Sequence, residues 1–460
     1  MHELPADLAL DIAVYLPRRE DDWNSLKNTS LVSAAFRKAC QAIIFSAISL
    51  CYPASPDGKP LAGEIILALL QHSPAIAGYV KALKIVSTDT DGMWQQDKHL
   101  ADALNRIGEL NRIRELTLEL QWEVKLHQAS FTETRAALYS LLKSPCLEAL
   151  RINSSTPFEL VKLCQSSLKH LMASSASPLD TPEGYCMPQT SISSPPKLQT
   201  LYINLTTLRH SLEVVDLCRL HSLRLRLSQG IHDQQDSMAL RSLMSKVVTT
   251  LKTSIVDVPF NGSSVALIEL IQSLFIIYDG VVARRTETPD DLFQVSNMSS
   301  LEAISLCYMD IAKFKVDQNP YEITTFTSKT LAWIRALFQS THTPSNLKVA
   351  QLIAINYESG LDGEWAYDSQ QWQELLTLLS SKEQFPALKR VEVILCSYFK
   401  TEIRLPELSE TFRQQLGYEL NLGQREFKRD PTLYLIGALP QGSVYDWAGD
   451  TYVFHRGSTL

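Results

Sequence analysis

Most of this chain repeats one short pattern, aliphatic-x-x-aliphatic-x-aliphatic. It occurs at Val80-Leu83-Ile85, Ile113-Leu116-Leu118, Leu147-Leu150-Ile152 and Leu168-Leu171-Ala173. It returns at Leu198-Leu201-Ile203, Leu220-Leu223-Leu225, Leu301-Ile304-Leu306 and Leu388-Val391-Val393, with weaker copies near Leu251-Ile255 and Val349-Leu352. Alternate residues of a strand face one side. Leu116, Leu118 and Leu120 therefore point inward, and Thr117 and Glu119 outward. Leu223, Leu225 and Leu227 repeat this, with Arg224 and Arg226 outside. Helix-like segments are expected between the strands at 63–73, 97–110, 132–143, 158–164, 237–249, 265–276, 326–338, 369–381 and 407–420. Strand alternating with helix predicts parallel strands and an α/β class. Three or four buried aliphatics per unit, at about 1.5–3 kcal/mol each, cannot offset about 1–2 kcal/mol of ordering entropy per residue. The units must stack, and a curved solenoid with strands on its concave side follows.

The first fifty residues follow a different rhythm. Leu8, Ile12 and Leu16 mark one face of a helix that Pro17 and the acidic run at 20–22 break. Trp23 and Leu26 fit a second, very short helix. Asn28, Thr29 or Ser30 can cap a third, which carries Val32, Phe36, Ala39 and Ile43 on one side, widened by Leu31, Ala35 and Ile44. So much apolar surface on about forty residues exceeds what a three-helix unit buries internally. Part of it should meet the rest of the chain or a partner.

Composition narrows the function classes. The net charge of −7 and the absence of a basic run argue against nucleic acid and against a membrane surface. Glu3, Asp7 and Asp11 rule out a secretory leader in residues 1–16, and no apolar stretch is long enough to span a bilayer. The expected location is cytoplasmic, nuclear or both. The eight cysteines form no CxxC pair, so buried thiols are expected rather than a metal framework. No GxSxG elbow, P-loop, HExxH or kinase signature occurs, which leaves no catalytic residue, metal or cofactor to name. His170, His210 and His221 are isolated, and Asp290-Asp291 reads as a solvated loop. Residues 174–196, rich in Ser, Pro and Thr, read as an exposed insertion. Segments 433–439 and 445–454 look strand-like and aromatic, as a terminal cap would.

The N-terminal residues resemble the F-box. The likeness rests on Leu4-Pro5, Asp7-Leu8, Ile12, Tyr15-Leu16-Pro17, Leu26, Ser30-Leu31-Val32-Ser33, Phe36 and Arg37, about a tenth of the chain. Ser33 stands where many members have Cys, and Ile44-Phe45 replaces the usual Trp. The repeats, with central spacings of 33, 34, 21, 30 and 22 residues, resemble irregular leucine-rich repeats with insertions. Together the two resemblances look like the expanded F-box families of mushroom-forming fungi. They imply an F-box at 1–46, a leucine-rich-repeat solenoid at 47–406 and a cap at 407–460. They further imply a non-catalytic substrate receptor of a Skp–cullin–F-box ubiquitin ligase. A Skp-family adaptor would bind Leu4, Pro5, Leu8, Ile12, Leu16, Leu26, Leu31, Val32 and Phe36, and a cullin would follow through it. An unidentified target protein would meet the outward strand residues, foremost Arg151, Tyr202, Arg224 and Arg226. Two alternatives stand beside this reading: a scaffold that binds the adaptor without assembling a ligase, and an enzyme with a site in the 250–460 half.

Overall fold

The structure is a computed structural model that describes residues 22–52, 60–87, 93–120, 129–152, 156–173, 195–204, 207–208, 212, 214–226, 239, 242–243, 245–247, 249–257, 300–310, 334–335, 338–339, 344–356, 365–366, 369–397, 403–404 and 409–426. These fall into two compact units. One holds the residues up to Leu198 with 214–216, and the other holds 199–212 and the residues from Leu217 onward. The expected first helix, residues 174–194 of the insertion, the helix at 265–276 and the strands at 433–439 and 445–454 lie outside the described residues.

The first unit opens with two helices, α1 (Asp22–Thr29) and α2 (Ala34–Ile44). Leu26 of α1 packs with Ala39 and Cys40 of α2, and Ala35, Phe36, Ile43 and Ile44 border this small core. The cap of α2 differs from the expected Asn28, Thr29 or Ser30. It is Ser33, whose hydroxyl accepts from the Phe36 N–H at 3.3 Å. The first three of those residues are instead drawn into the end of α1 and its turn, where Ser30 N–H donates to the Leu26 carbonyl at 2.9 Å.

Only Phe45 and Ser46 separate α2 from β1 (Ala47–Tyr52). Four more strands follow in the first unit: β2 (Ala82–Ser87), β3 (Glu115–Glu119), β4 (Ala149–Ile152) and β5 (His170–Ala173). Each pairs parallel with the next in chain order. The register aligns Ile48, Leu83, Leu116, Leu150 and Leu171 in one row, and Leu50, Ile85, Leu118, Ile152 and Ala173 in a second. The leading aliphatic of each repeat, Val80, Ile113, Leu147 and Leu168, is also buried.

Between these strands lie α3 (Ala62–His72), α4 (Met93–Gln96), α5 (Leu100–Gly108) and α6 (Ala129–Leu142), then a 3-10 helix at Phe158–Leu163. α3 packs on α5, α5 on α6, and α6 on the 3-10 helix. One buried carboxylate ties the first turn of this stack. Asp97 accepts from the Tyr52 hydroxyl at 2.9 Å, the Gly63 N–H at 2.7 Å and the His99 N–H at 3.0 Å. A Cβ on Gly63 would come within 2.5 Å of Asp97 Oδ2 and 2.7 Å of the Leu100 Cα, so only glycine fits there.

The second unit contains a parallel sheet of seven strands. They are β6 (Thr200–Asn204), β7 (Ser222–Arg226), β8 (Thr253–Asp257), β9 (Ala303–Asp310), β10 (Val349–Asn356), β12 (Arg390–Ser397) and β14 (Glu419–Glu426). A separate parallel pair joins β11 (Trp365–Ala366) to β13 (Ile403–Arg404). Two helices, α7 (Ser369–Ser380) and α8 (Glu410–Gln415), lie among the later strands. The mixed α/β class and the parallel pairing expected from the sequence are present.

Three details differ from expectation. Among the described residues of the 407–420 segment, 409–420, the helix is α8, and Glu419 and Leu420 already belong to β14. The parallel ladder thus runs on into the stretch expected as a cap. The weaker repeats also take another phase. The buried positions are Leu251 and Leu347, followed in register by Ser254-Val256 and Ala350-Leu352. The reason is a small residue, Ser254 or Ala350, at the position an aliphatic usually holds, which makes a neighbouring Ile or Val look like the marker.

Candidate protein-interaction surfaces

The turn between α1 and α2 presents the most exposed of the large apolar side chains among the described residues. Leu31 is 74% exposed and Val32 72%. Their backbone is not frayed, since Leu31 N–H donates to the Asn28 carbonyl and Val32 N–H to the Thr29 carbonyl, each at 3.1 Å. Two adjacent branched apolar side chains are thus exposed on a hydrogen-bonded turn. Phe36 is half-buried beside it. Leu26 departs from the expected adaptor set: at 3% exposure it belongs to the α1–α2 core, because α2 offers it Ala39 and Cys40 as closer partners. Leu4, Pro5, Leu8, Ile12 and Leu16 lie outside the described residues.

The outward row of the first unit aligns Ser49, Lys84, Thr117, Arg151 and Met172. Lys84 Nζ lies 3.2 Å and Arg151 Nε 3.5 Å from the same Glu119 oxygen, Oε1. Glu119 thus holds two cations from the strands on either side. Of the four residues expected to bind a target, Arg151 sits in the first unit, and Tyr202, Arg224 and Arg226 belong to the second.

In the second unit Tyr202 and Arg224 are register partners, as are Asn204 and Arg226. The Arg224 guanidinium carbon stands 4.5 Å from the Tyr202 ring centre, a cation–π contact. Tyr202 is nevertheless only 4% exposed, which corrects its assignment as a contact residue. Tyr202 alternates with Leu201 and Ile203 along β6, and its face of the strand is buried as well. The side chain of Arg226 lies outside the described residues.

Several polar contacts carried no sequence signal. Gln351 Nε2 donates to Glu392 Oε2 at 2.9 Å across β10 and β12, and within β12 Arg390 Nε lies 3.2 Å from Glu392 Oε1. Glu302 accepts from Lys348 at 2.8 Å, which holds its carboxyl below the usual range. Burial, with Lys169 beside it, lowers His170 to about 4, against a weaker upward pull from Glu148. Burial pushes the Cys164 thiol up to about 12. Such a thiol is a packing group and not a nucleophile.

A shallow groove between α7 and α8 is lined by Arg335, Gln339, Gln370, Glu374, Thr377 and Phe412. Its single carboxylate pairs with Arg335 and accepts from Gln370. It holds no histidine and no acid–base pair. Among the described residues no group of three or more His, Cys, Asp or Glu could hold a metal ion, and no helix is long and apolar enough to cross a membrane. No protein-family model matches the chain, and no curated protein is significantly similar to it.

Proposed function

We propose that the chain is an F-box protein with irregular leucine-rich repeats, the substrate-recognition subunit of a Skp–cullin–F-box ubiquitin ligase. The observation that carries this reading is the exposed Leu31–Val32 pair on the ordered turn between α1 and α2. These two residues fall within the Ser30-Leu31-Val32-Ser33 stretch that resembles the F-box. Ser33, where many F-boxes have Cys, serves here as the N-cap of α2. The repeat half of the reading draws support from strands that pair parallel in chain order, with buried aliphatics such as Leu83, Leu116 and Leu150 in register in the first unit and Leu201 and Leu223 in the second. Chain-order stacking of this kind suits a leucine-rich-repeat solenoid. The protein contributes binding alone in this scheme. The adaptor docks on the helical turn, a cullin follows, and a target meets the outward strand face.

Co-expression with a Skp-family adaptor tests the reading. Burying Leu31 and Val32 in an interface is worth about 1.5–3 kcal/mol for each side chain. Leu31→Ala/Val32→Ala should therefore weaken adaptor co-purification by more than tenfold while leaving the thermal transition unchanged. Leu4→Ala/Pro5→Ala should abolish it. Retained adaptor binding in both double variants would overturn the assignment. Recovery of a cullin with the adaptor distinguishes a ligase subunit from a scaffold.

A further inference from the structure

We infer that the strand-entry edge of the first unit is a docking surface for an acidic peptide segment. It is built on a column of residues that each precede a strand: Lys81, Arg114, Glu148 and Lys169. Their backbone is locked by one repeated device. The Ser46 carbonyl accepts from the N–H groups of both Lys81 and Ala82, at 2.8 and 2.9 Å. The Lys81 carbonyl accepts likewise from Arg114 and Glu115, that of Arg114 from Glu148 and Ala149, and that of Glu148 from Lys169 and His170. Each step of the column is therefore one strand spacing, about 4.8 Å.

The column carries three cations and one carboxylate. Glu148 is engaged by Lys169 at 3.3 Å, which leaves Lys81 and Arg114 adjacent and exposed. Neither has a side-chain partner among the described residues. Arg112 adds a third exposed cation beside them, held by its bond to the Gly78 carbonyl at 3.0 Å. A basic edge on a chain of net charge −7 is a local departure from the whole. The second unit repeats the arrangement at the same strand position with Lys252, Glu302, Lys348 and Lys389, where Glu302 is likewise paired internally.

The occupant follows from spacing and charge. In an extended peptide, side chains at i and i+2 share a face about 6.8 Å apart. Lys81 and Arg114, rooted about 4.8 Å apart on long stems, can fan out to meet two such carboxylates. Arg supplies a bidentate fork for one of them. A nucleic acid is disfavoured because none of the four column residues is aromatic, so the column itself offers no ring on which a base could stack.

The probe is a fluorescein-labelled deca-glutamate peptide, titrated by anisotropy with the full chain at 50 mM salt. Binding is expected, and raising the salt to 300 mM should weaken it severalfold. Lys81→Glu/Arg114→Glu should lower affinity at least tenfold, and the conservative Lys81→Arg/Arg114→Lys should retain it within about twofold. Lys98→Glu/Lys162→Glu makes the same charge change at exposed positions elsewhere and should have no more than a twofold effect. The proposal fails if deca-glutamate does not bind, if the first double variant binds normally, or if the control variant loses binding equally. It also fails if a ten-residue oligothymidine binds more tightly than the peptide. Lys81→Gln/Arg114→Gln, which adds no repulsive charge, should give the same loss and guards against a folding artefact.

Discussion

Strands β3 and β6 alternate alike in sequence, Glu-Leu-Thr-Leu-Glu against Thr-Leu-Tyr-Ile-Asn, yet they meet different surroundings. In β3 the leucines are buried and the other three residues are half-buried. In β6 all five residues are buried. The outward residues of β3 are ones that water or an opposite charge must satisfy: Glu119 is shared by Lys84 and Arg151. Those of β6 can be satisfied without water. Asn204 Oδ1 accepts from the Thr207 N–H at 2.8 Å, and the Tyr202 ring lies against Arg224. Period-two alternation reports which face is the aliphatic core. Whether the second face is open depends on the chemistry of its side chains, and charged residues keep it open because burying them is expensive.

The largest expected effect breaks or confirms this contrast directly. Tyr202→Ala should destabilise the protein by about 3 kcal/mol or more, the cost of a cavity at a buried aromatic. Thr117→Ala, at the corresponding outward place in β3, should stay within about 0.5 kcal/mol. Urea midpoints of the two variants measure it. Equal midpoints would mean that β6 has an open outward face after all.

The next effect sharpens the same point at a glycine. Buried polar groups are tolerated where backbone N–H groups reach them, and Asp97 needs the close approach of Gly63. Gly63→Ala should cost about 2–3 kcal/mol, because the new methyl meets the Leu100 backbone as well as the carboxylate. Gly78→Ala should be near neutral, since the closest atom a Cβ would meet there is Leu110 Cδ1 at 3.7 Å. A thermal melt of each variant decides the case, and similar transitions for both would place Asp97 outside the core.

Much of the architecture was legible because most repeats keep a buried leading aliphatic. Val80, Ile113, Leu147, Leu168, Leu220 and Leu301 are all buried to 1% exposure or less. The repeat at β14 was not legible because Gly417, at φ +66°, occupies that leading place, and only Leu420 and Leu422 remain of the pattern. Its glycine supplies the left-handed turn after α8, and the aliphatic marker is lost. The candidate sites were less legible than the fold. Leu31 and Val32 fit a helical face in sequence, yet they sit on a turn and point to solvent. Tyr202 looked like a contact residue because nothing in five residues of alternation tells which strand is covered.

Burial of the outward face is already present at His170, the first residue of β5, and it makes stability depend on pH. His170 titrates near 4 when folded, below its ordinary 6.5, because burial opposes the charged ring. Between those values the unfolded chain binds a proton that the folded chain does not. The contribution is therefore complete above pH 6.5 and is lost as pH falls toward 4, by about 2 kcal/mol after allowance for solvent screening. His170→Phe should flatten this part of the stability–pH curve. A slope unchanged by the substitution would place the titration elsewhere.

The smallest effect lies on the open face itself. Glu119→Gln removes the carboxylate shared by Lys84 and Arg151 and keeps its shape. All three side chains are partly exposed, at 22% for Glu119, 35% for Lys84 and 23% for Arg151. Ion pairs with this much solvent access contribute about 0–1 kcal/mol, because water screens the attraction and two long side chains lose freedom. The expected loss is below about 1 kcal/mol at low salt and should shrink further at 1 M salt, where the screening length falls to about 3 Å. Denaturant midpoints of the variant and the native chain at both salt concentrations provide the check. A loss above 2 kcal/mol that persists in high salt would mean that the carboxylate is desolvated. β3 would then be covered as β6 is, and the distinction between the two strands would fail.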